Sequence, residues 1–367
     1  MTPSSPPPSV TVGIATKNRP EALLRNLRSL RLLRGLAAGA VVVDDASDPP
    51  VEAPVRAALG EDAGIEVRFI RHDASRSTSA CRNRIVREAA TPWVLNLDDD
   101  AFIVDREAVQ MGVRVLEADP EVGVVAFAQC DEAGVAYHPS AQPLPVDYPA
   151  YAAAFTGYAC LVRRDAFLAV GGFRERLGIN GEEKELCIRL LDRGWRVVYL
   201  PDARVGHVAA QAGRDARRYL HQTVRNNALS AMYDEPFPLV LAGTALRLYS
   251  YFHMRRGWKI HDPGGLGTIV RGLARDLPAV LRERTPVRWA TIRRWRTMTR
   301  NPPEPYVLPS STPSADASTD ESRDAADRST GGSAGRPDGS TVGSLDRPMD
   351  GAVGRPMDAS TPAEPIA

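Results

Sequence analysis

Three carboxylates, Asp98, Asp99 and Asp100, follow the apolar run WVLNL directly. Adjacent like charges repel, so their shared location calls for a compensating charge. Residues i and i+2 leaving a strand project the same way, and Asp98 and Asp100 can therefore share one divalent cation. Oxygen donors suit Mg2+ or Mn2+ better than zinc, and a cation held by one or two carboxylates commonly completes its shell with substrate phosphates. The competing reading is a solvated acidic turn. A second acidic strand end is VVVDDAS, where Asp44 and Asp45 precede a serine. It serves either as a turn or cap, or as a carboxylate that hydrogen-bonds the base or ribose of a nucleotide.

The stretch GEEKELCIRLLDRGW, residues 181–195, opens an amphipathic helix with acids. Negative charge at a helix start is favourable through the helix dipole alone. The spacing offers more, because Glu183 shares a face with Leu186, Cys187 and Leu190, whereas Glu182 lies about 100° away, towards Glu185 and Arg189. Glu183 is thus expected on the buried face, available as a general base at a dry site edge, with Glu182 nearer the polar side. His207, after the strand-like RVVYLP, is either a structural histidine or a metal ligand.

These groups need elements to position them. SVTVGIAT (9–16), AVVVDDAS (40–47), IEVRFIRH (65–72), WVLNLD (93–98) and VGVVAFAQC (122–130) are short apolar runs suited to buried strands. Pro20 opens a helix with Leu23, Leu24, Leu27 and Leu30 at helical spacing, and further helices are expected near 78–90 and 106–118. Strands alternating with helices of this length predict an α/β fold with right-handed crossovers and a mainly parallel sheet covered on both faces. In such sheets ligands bind at the carboxyl ends of strands, where Asp44, Asp45 and the triple Asp fall.

The 367 residues, 43% hydrophobic, suffice for one core of about 200 residues and something smaller. A net charge of +1 gives no global field for nucleic acid, and no nucleic-acid motif is present. Cys81, Cys130, Cys160 and Cys187 are scattered without metal spacing, which suits a reducing cytosol. No signal peptide is visible at the start, and the longest apolar segment, 236–252, is too short and too basic to span a bilayer. Residues 1–9 and 309–367 have the composition of disordered segments. Between Leu246 and Arg300 thirteen Lys and Arg residues face three acids. That segment reads as a basic amphipathic surface for anionic lipid or as a solvated helical appendage.

Six pieces in this order, VTVGIATKNRP, VVVDDAS, SACRNRIVREAATPWVLNLDDD, AVGGFRE with GEEKELCIRLLDRGW, VGHV and VRNNAL, resemble the glycosyltransferase family 2 enzymes over roughly residues 10–234. The resemblance implies the GT-A fold, a Rossmann-like sheet covered by helices, over residues 10–235, with a basic helical extension over 236–308. It implies an inverting, metal-dependent transfer from a UDP-, dTDP- or GDP-sugar to a glycan, lipid-linked or small-molecule acceptor. Thr16, Asn18 and Arg19 would line the nucleotide pocket, Asp45 with Asp44 would read base and ribose, and Arg82 would brace the pocket or the diphosphate. Asp98, Asp100 and His207 would hold Mn2+ or Mg2+, with Asp99 orienting the sugar or an arginine. The base segment usually reads Gly-Glu-Asp; here Glu183 stands third, one methylene longer, with Glu182 as the alternative base. A cytoplasmic location is expected, with peripheral contact at the inner face of the membrane left open. The rival readings are a non-catalytic sugar-nucleotide or glycan-binding protein and a nucleotidyltransferase, the latter disfavoured because ATKNRP has no glycine.

Overall fold

The computed structural model describes residues 8–60, 64–208 and 215–309. Most of the two segments expected to be disordered, at residues 1–7 and 310–367, lies outside these.

The apolar runs become strands: β1 (Val10–Thr16), β2 (Ala37–Asp44), β3 (Val67–Arg71), β4 (Trp93–Asp98), β5 (Ala101–Ile103), β6 (Val122–Cys130), β7 (Ala150–Ala152), β8 (Ala159–Arg163) and β9 (Arg196–His207). Among the described residues they form one nine-stranded sheet in the order β3-β2-β1-β4-β8-β6-β9-β5, with β7 also paired to β9. The first half is parallel, as the strand–helix alternation predicts: β1 pairs with β2 and β4, and β2 with β3. Beyond β4 the sheet is mixed. β8 runs antiparallel to both β4 and β6, and β9 is parallel to β6 but antiparallel to β5 and β7. The register sets Thr16 beside Asp44 and Ala15 beside Asp98, which brings the carboxyl ends of β1, β2 and β4 together.

The helices are α1 (Pro20–Ser29), α2 (Glu52–Leu59), α3 (Thr78–Glu88), α4 (Arg106–Ala118), α5 (Arg164–Ala169), α6 (Glu182–Asp192), α7 (Ala216–Asp234), α8 (Leu239–Gly257), α9 (Gly265–Glu283) and α10 (Trp289–Arg300). Pro20 fits the first turn of α1, where no backbone N–H is needed. Ser77 caps α3 through Ala80 N and Asp105 caps α4 through Glu107 N. One apolar core lies between the sheet and α1 and α4, where Leu23, Leu27, Val109 and Leu116 are buried. A second, on the opposite face, gathers Cys81 and Ile85 of α3, Phe167 of α5, and Leu186 and Leu190 of α6. A third joins α7, α8 and α9 through Leu220, Val224, Tyr233, Tyr251, Ile269 and Leu273. The four cysteines are buried free thiols. Among the described residues no helix is long and apolar enough to cross a membrane.

Candidate active site

The acidic triple sits on the turn between β4 and β5, and each carboxylate has a different task. Asp98 accepts from Arg82 Nη2 at 2.6 Å. Asp99 accepts from Thr16 Oγ1 at 2.8 Å and Arg19 Nη1 at 2.6 Å. Asp100 takes the second arm of the same guanidinium at 2.7 Å. Burial raises the Asp99 carboxyl to about 7 despite Arg19 and Thr16. Burial also opposes charge on Asp100, but the hydrogen bond and charge that His207 supplies when protonated, with those of Arg19, outweigh it and draw that carboxyl down to about 2.

His207, on β9, is delivered to the triple by the register that pairs it with Ala101 of β5. Its ring stacks on Tyr158 at 4.9 Å between centroids. Gln129 donates its amide to Ala141 O, so the Gln129 Oε1 faces His207 Nδ1 at 2.8 Å and requires a proton there. In its neutral form the ring presents the Nε2 lone pair to Asp100 Oδ1, 3.3 Å away. That oxygen is buried and has no hydrogen-bond partner among the described residues. Two acceptors facing each other fit a cation. The ligand atoms of Asp98, Asp100 and His207 all lie within 4.8 Å of one another, an oxygen-and-imidazole set suited to Mn2+ or Mg2+.

Arg82, on α3, connects this cluster to the α6 carboxylates. It is buried, and its charge is held by Asp98, by Gly157 O at 2.8 Å, by Glu182 at 3.4 Å and by Glu183 at 3.8 Å. The expected faces of α6 need correction. Glu182 is the deeper acid, 1% exposed, because the side shared with Glu185 and Arg189 is covered by residues 170–174. There Arg189 pairs with Glu185 at 2.5 Å and donates to Val170 O and Gly172 O, while Arg174 Nε reaches Glu185 at 2.6 Å. A charged helix face can be buried when every charge is paired. Glu183 retains 17% side-chain exposure and is the acid open to the site. Burial raises both carboxyls against the pull of Arg82, with Glu182 driven well above the carboxylate range by burial and the charge of Glu183.

At the carboxyl end of β2, Asp44 takes the turn role: it accepts from Ser47 N at 2.8 Å and Val51 N at 3.4 Å. Asp45 accepts from Ser75 Oγ and Arg76 N and meets His72 Nδ1 at 2.9 Å. These bonds lower its carboxyl although burial works against them. Asn18, at φ 56°, locks the loop after β1 to the loop after β2 through Ser47 Oγ and Asp48 N. Thr16, Arg19, Arg82, Asp98, Asp99, Asp100, His207, Glu182 and Glu183 thus form one connected cluster, while Asn18, Asp44 and Asp45 form its flank.

Several residues of the site were not singled out from sequence. Gln129 and Tyr158 orient His207; Gly157 supplies the carbonyl for Arg82, and a Cβ there would lie 2.4 Å from Glu183 Oε1. Asn83 and Asn226, from the two Arg-Asn pairs, grip the segment leading into α6. Asn83 bonds Phe173 N and O at 2.8 Å each, and Asn226 Nδ2 donates to Leu177, Ile179 and Asn180 carbonyls at 2.7–2.9 Å.

Residues 11–167 match the model of the family described as Glycosyl transferase family 2. A pre-mycofactocin glycosyltransferase of Mycobacterium tuberculosis is 31% identical over 251 residues, 65% of this chain and 51% of the relative. The chain therefore spans about half the length of that curated relative. Among solved structures, the mannosyltransferase PcManGT of Pyrobaculum calidifontis, in complex with GDP-Man and Mn2+, superposes with a TM-score of 0.50 at 18% identity, covering 80% of this chain and 84% of that one. S. aureus TarS 1–349 with UDP-GlcNAc gives 0.51 at 14% identity over 74% and 81%. The fold is that of the GT-A glycosyltransferases.

Proposed function

We propose that the chain is an inverting glycosyltransferase that moves a sugar from a nucleoside-diphosphate sugar to an acceptor hydroxyl. In this reading residues 10–235 form the transferase unit and 236–308 a basic helical extension. The carrying observation is Arg82, whose single guanidinium touches Asp98 on the donor side and approaches Glu183 on the acceptor side. Asp98, Asp100 and His207 would hold Mn2+ or Mg2+, and the bound ion would supply positive charge against the leaving diphosphate. Arg19 already lies against Asp99 and Asp100, close enough to follow the diphosphate as it binds. Asp45, with Thr16 and Asn18, lines the base and ribose pocket, and Asp44 supports its turn.

Glu183 accepts the proton of the acceptor hydroxyl as that oxygen attacks the anomeric carbon from the face opposite the diphosphate. The bond from the anomeric carbon to the phosphate oxygen breaks, and one displacement inverts the centre. Glu182, deeper and driven further towards its neutral form, supports Glu183 and is the alternative base. The donor is a UDP-, dTDP- or GDP-sugar, and the acceptor a glycan, a lipid-linked sugar or a small molecule.

The test is a calorimetric screen of UDP-, dTDP- and GDP-sugars with and without Mn2+ or Mg2+. One donor should bind in a metal-dependent manner in the wild type and in Glu183→Gln, but not in Asp100→Ala. Absence of binding by any sugar nucleotide under every metal condition would overturn the reading.

A further inference from the structure

The segment Leu246–Arg300 carries thirteen basic and three acidic residues, and the structure separates the two signs. All three acids pair with partners outside the segment: Asp262 and Asp276 turn inward to His221 at 2.6 Å and Arg225 at 2.5 Å, and Glu283, itself half exposed, meets Arg176 at 3.4 Å and accepts from Tyr233 at 3.0 Å. Of these partners, His221, Arg225 and Tyr233 belong to α7. The outward side of α9 is left cationic. Arg271 and Arg282 bond only carbonyls of their own helix, and among the described residues no carboxylate pairs with Arg271, Arg275 or Arg282.

Exposed apolar side chains lie beside these arginines on α9, and others lie on α8. On α9, Val270, Leu277 and Leu281 are exposed at spacings of seven and four, one position before Arg271 and Arg282, so an apolar row runs beside a basic row. On α8, Leu241, Tyr249 and Phe252 are 64, 56 and 48% exposed along one face. Nine of the sixteen large exposed apolar residues in the described chain fall between 237 and 289, so this is a concentration and not the ordinary scatter of a surface.

We propose that the outer faces of α8 and α9 dock on an anionic lipid bilayer, lying along its surface with the apolar rows at the headgroup boundary and the arginines on lipid phosphates. Such a face gains from apolar burial and from the attraction of each basic residue to an anionic surface. A second copy is a poor occupant, because a two-fold contact would set this cationic face against itself. Nucleic acid would match the charge but leave the leucine and aromatic rows without use. The surface is independent of sugar transfer and goes beyond the transferase reading.

The test uses the full chain in vesicle cosedimentation, with phosphatidylglycerol–phosphatidylcholine vesicles against phosphatidylcholine alone, at low and high salt. Wild type should prefer the anionic vesicles by about 10-fold or more and release them as salt screens the charges. The triple change Arg271→Glu, Arg275→Glu, Arg282→Glu should abolish retention, and Leu241→Ser with Phe252→Ser should weaken it. Both variants should keep wild-type helicity and metal-dependent nucleotide binding. Equal retention on neutral vesicles, or full retention by the charge variant, overturns the proposal. So does tighter binding to generic duplex DNA than to vesicles, or dimerisation through this face by sedimentation. The salt and lipid dependence of the wild type decides the matter even if a variant fails to fold, and a failed donor screen would leave that result untouched.

Discussion

Asp100 has one oxygen on Arg19 and the other facing His207 Nε2, so a metal ion would complete a set that protein groups leave open. Gln129 fixes which ring nitrogen is bare. Gln129→Ala should therefore lower metal affinity by about 10–100-fold, measured by Mn2+ titration, while leaving the fold intact. Glu183→Gln should cut transfer about 10^2–10^4-fold in an acceptor assay and spare donor affinity. A base works when deprotonated, and burial raises the Glu183 carboxyl. The rate should thus fall as pH drops through a value above the usual glutamate range, and Glu183→Gln should remove that limb. The acidic triple and both glutamates were legible from residue type and spacing. Which glutamate is deeper was not, because helical phase says which residues share a face but not what covers it. Gln129 and Tyr158 were illegible for a similar reason: β6 and β8 bring them to His207 by pairing between strands distant in sequence.

At the scale of elements, the start of α6 is set by two asparagines on α3 and α7 that grip backbone groups of residues 173–180. Truncating Asn83 or Asn226 to Ala leaves those buried groups unpaired and should cost about 1–3 kcal/mol each in denaturant unfolding. It should also lower kcat more than metal affinity, since the segment carries Glu183 and not the metal ligands. Both asparagines stood in the Arg-Asn pairs seen in the sequence, but their role depends on a loop whose course no periodicity reports. The parallel strands β1 to β4 were legible because apolar runs alternate with amphipathic helices. The antiparallel insertion of β8 was not, since ACLVR carries no mark of its direction. Because the clamp holds backbone, exposed Ile179 is free to vary, and substitutions there should leave stability and donor binding unchanged.

Across the whole molecule, the formal charge of +1 conceals a division: Leu246–Arg300 carries +10, and the rest of the sequence −9. The pairing of the three acids with residues outside the segment sharpens that division, since Arg271, Arg275 and Arg282 of α9 are left with no carboxylate partner among the described residues. Net charge and isoelectric point, near 7.7, are averages that a charged resin does not sense. At mildly alkaline pH, where the net charge is near zero or negative, the chain should still be retained on a cation exchanger at low salt. The Arg271→Glu, Arg275→Glu, Arg282→Glu variant should elute markedly earlier. A purification that trusts the isoelectric point would choose the wrong column.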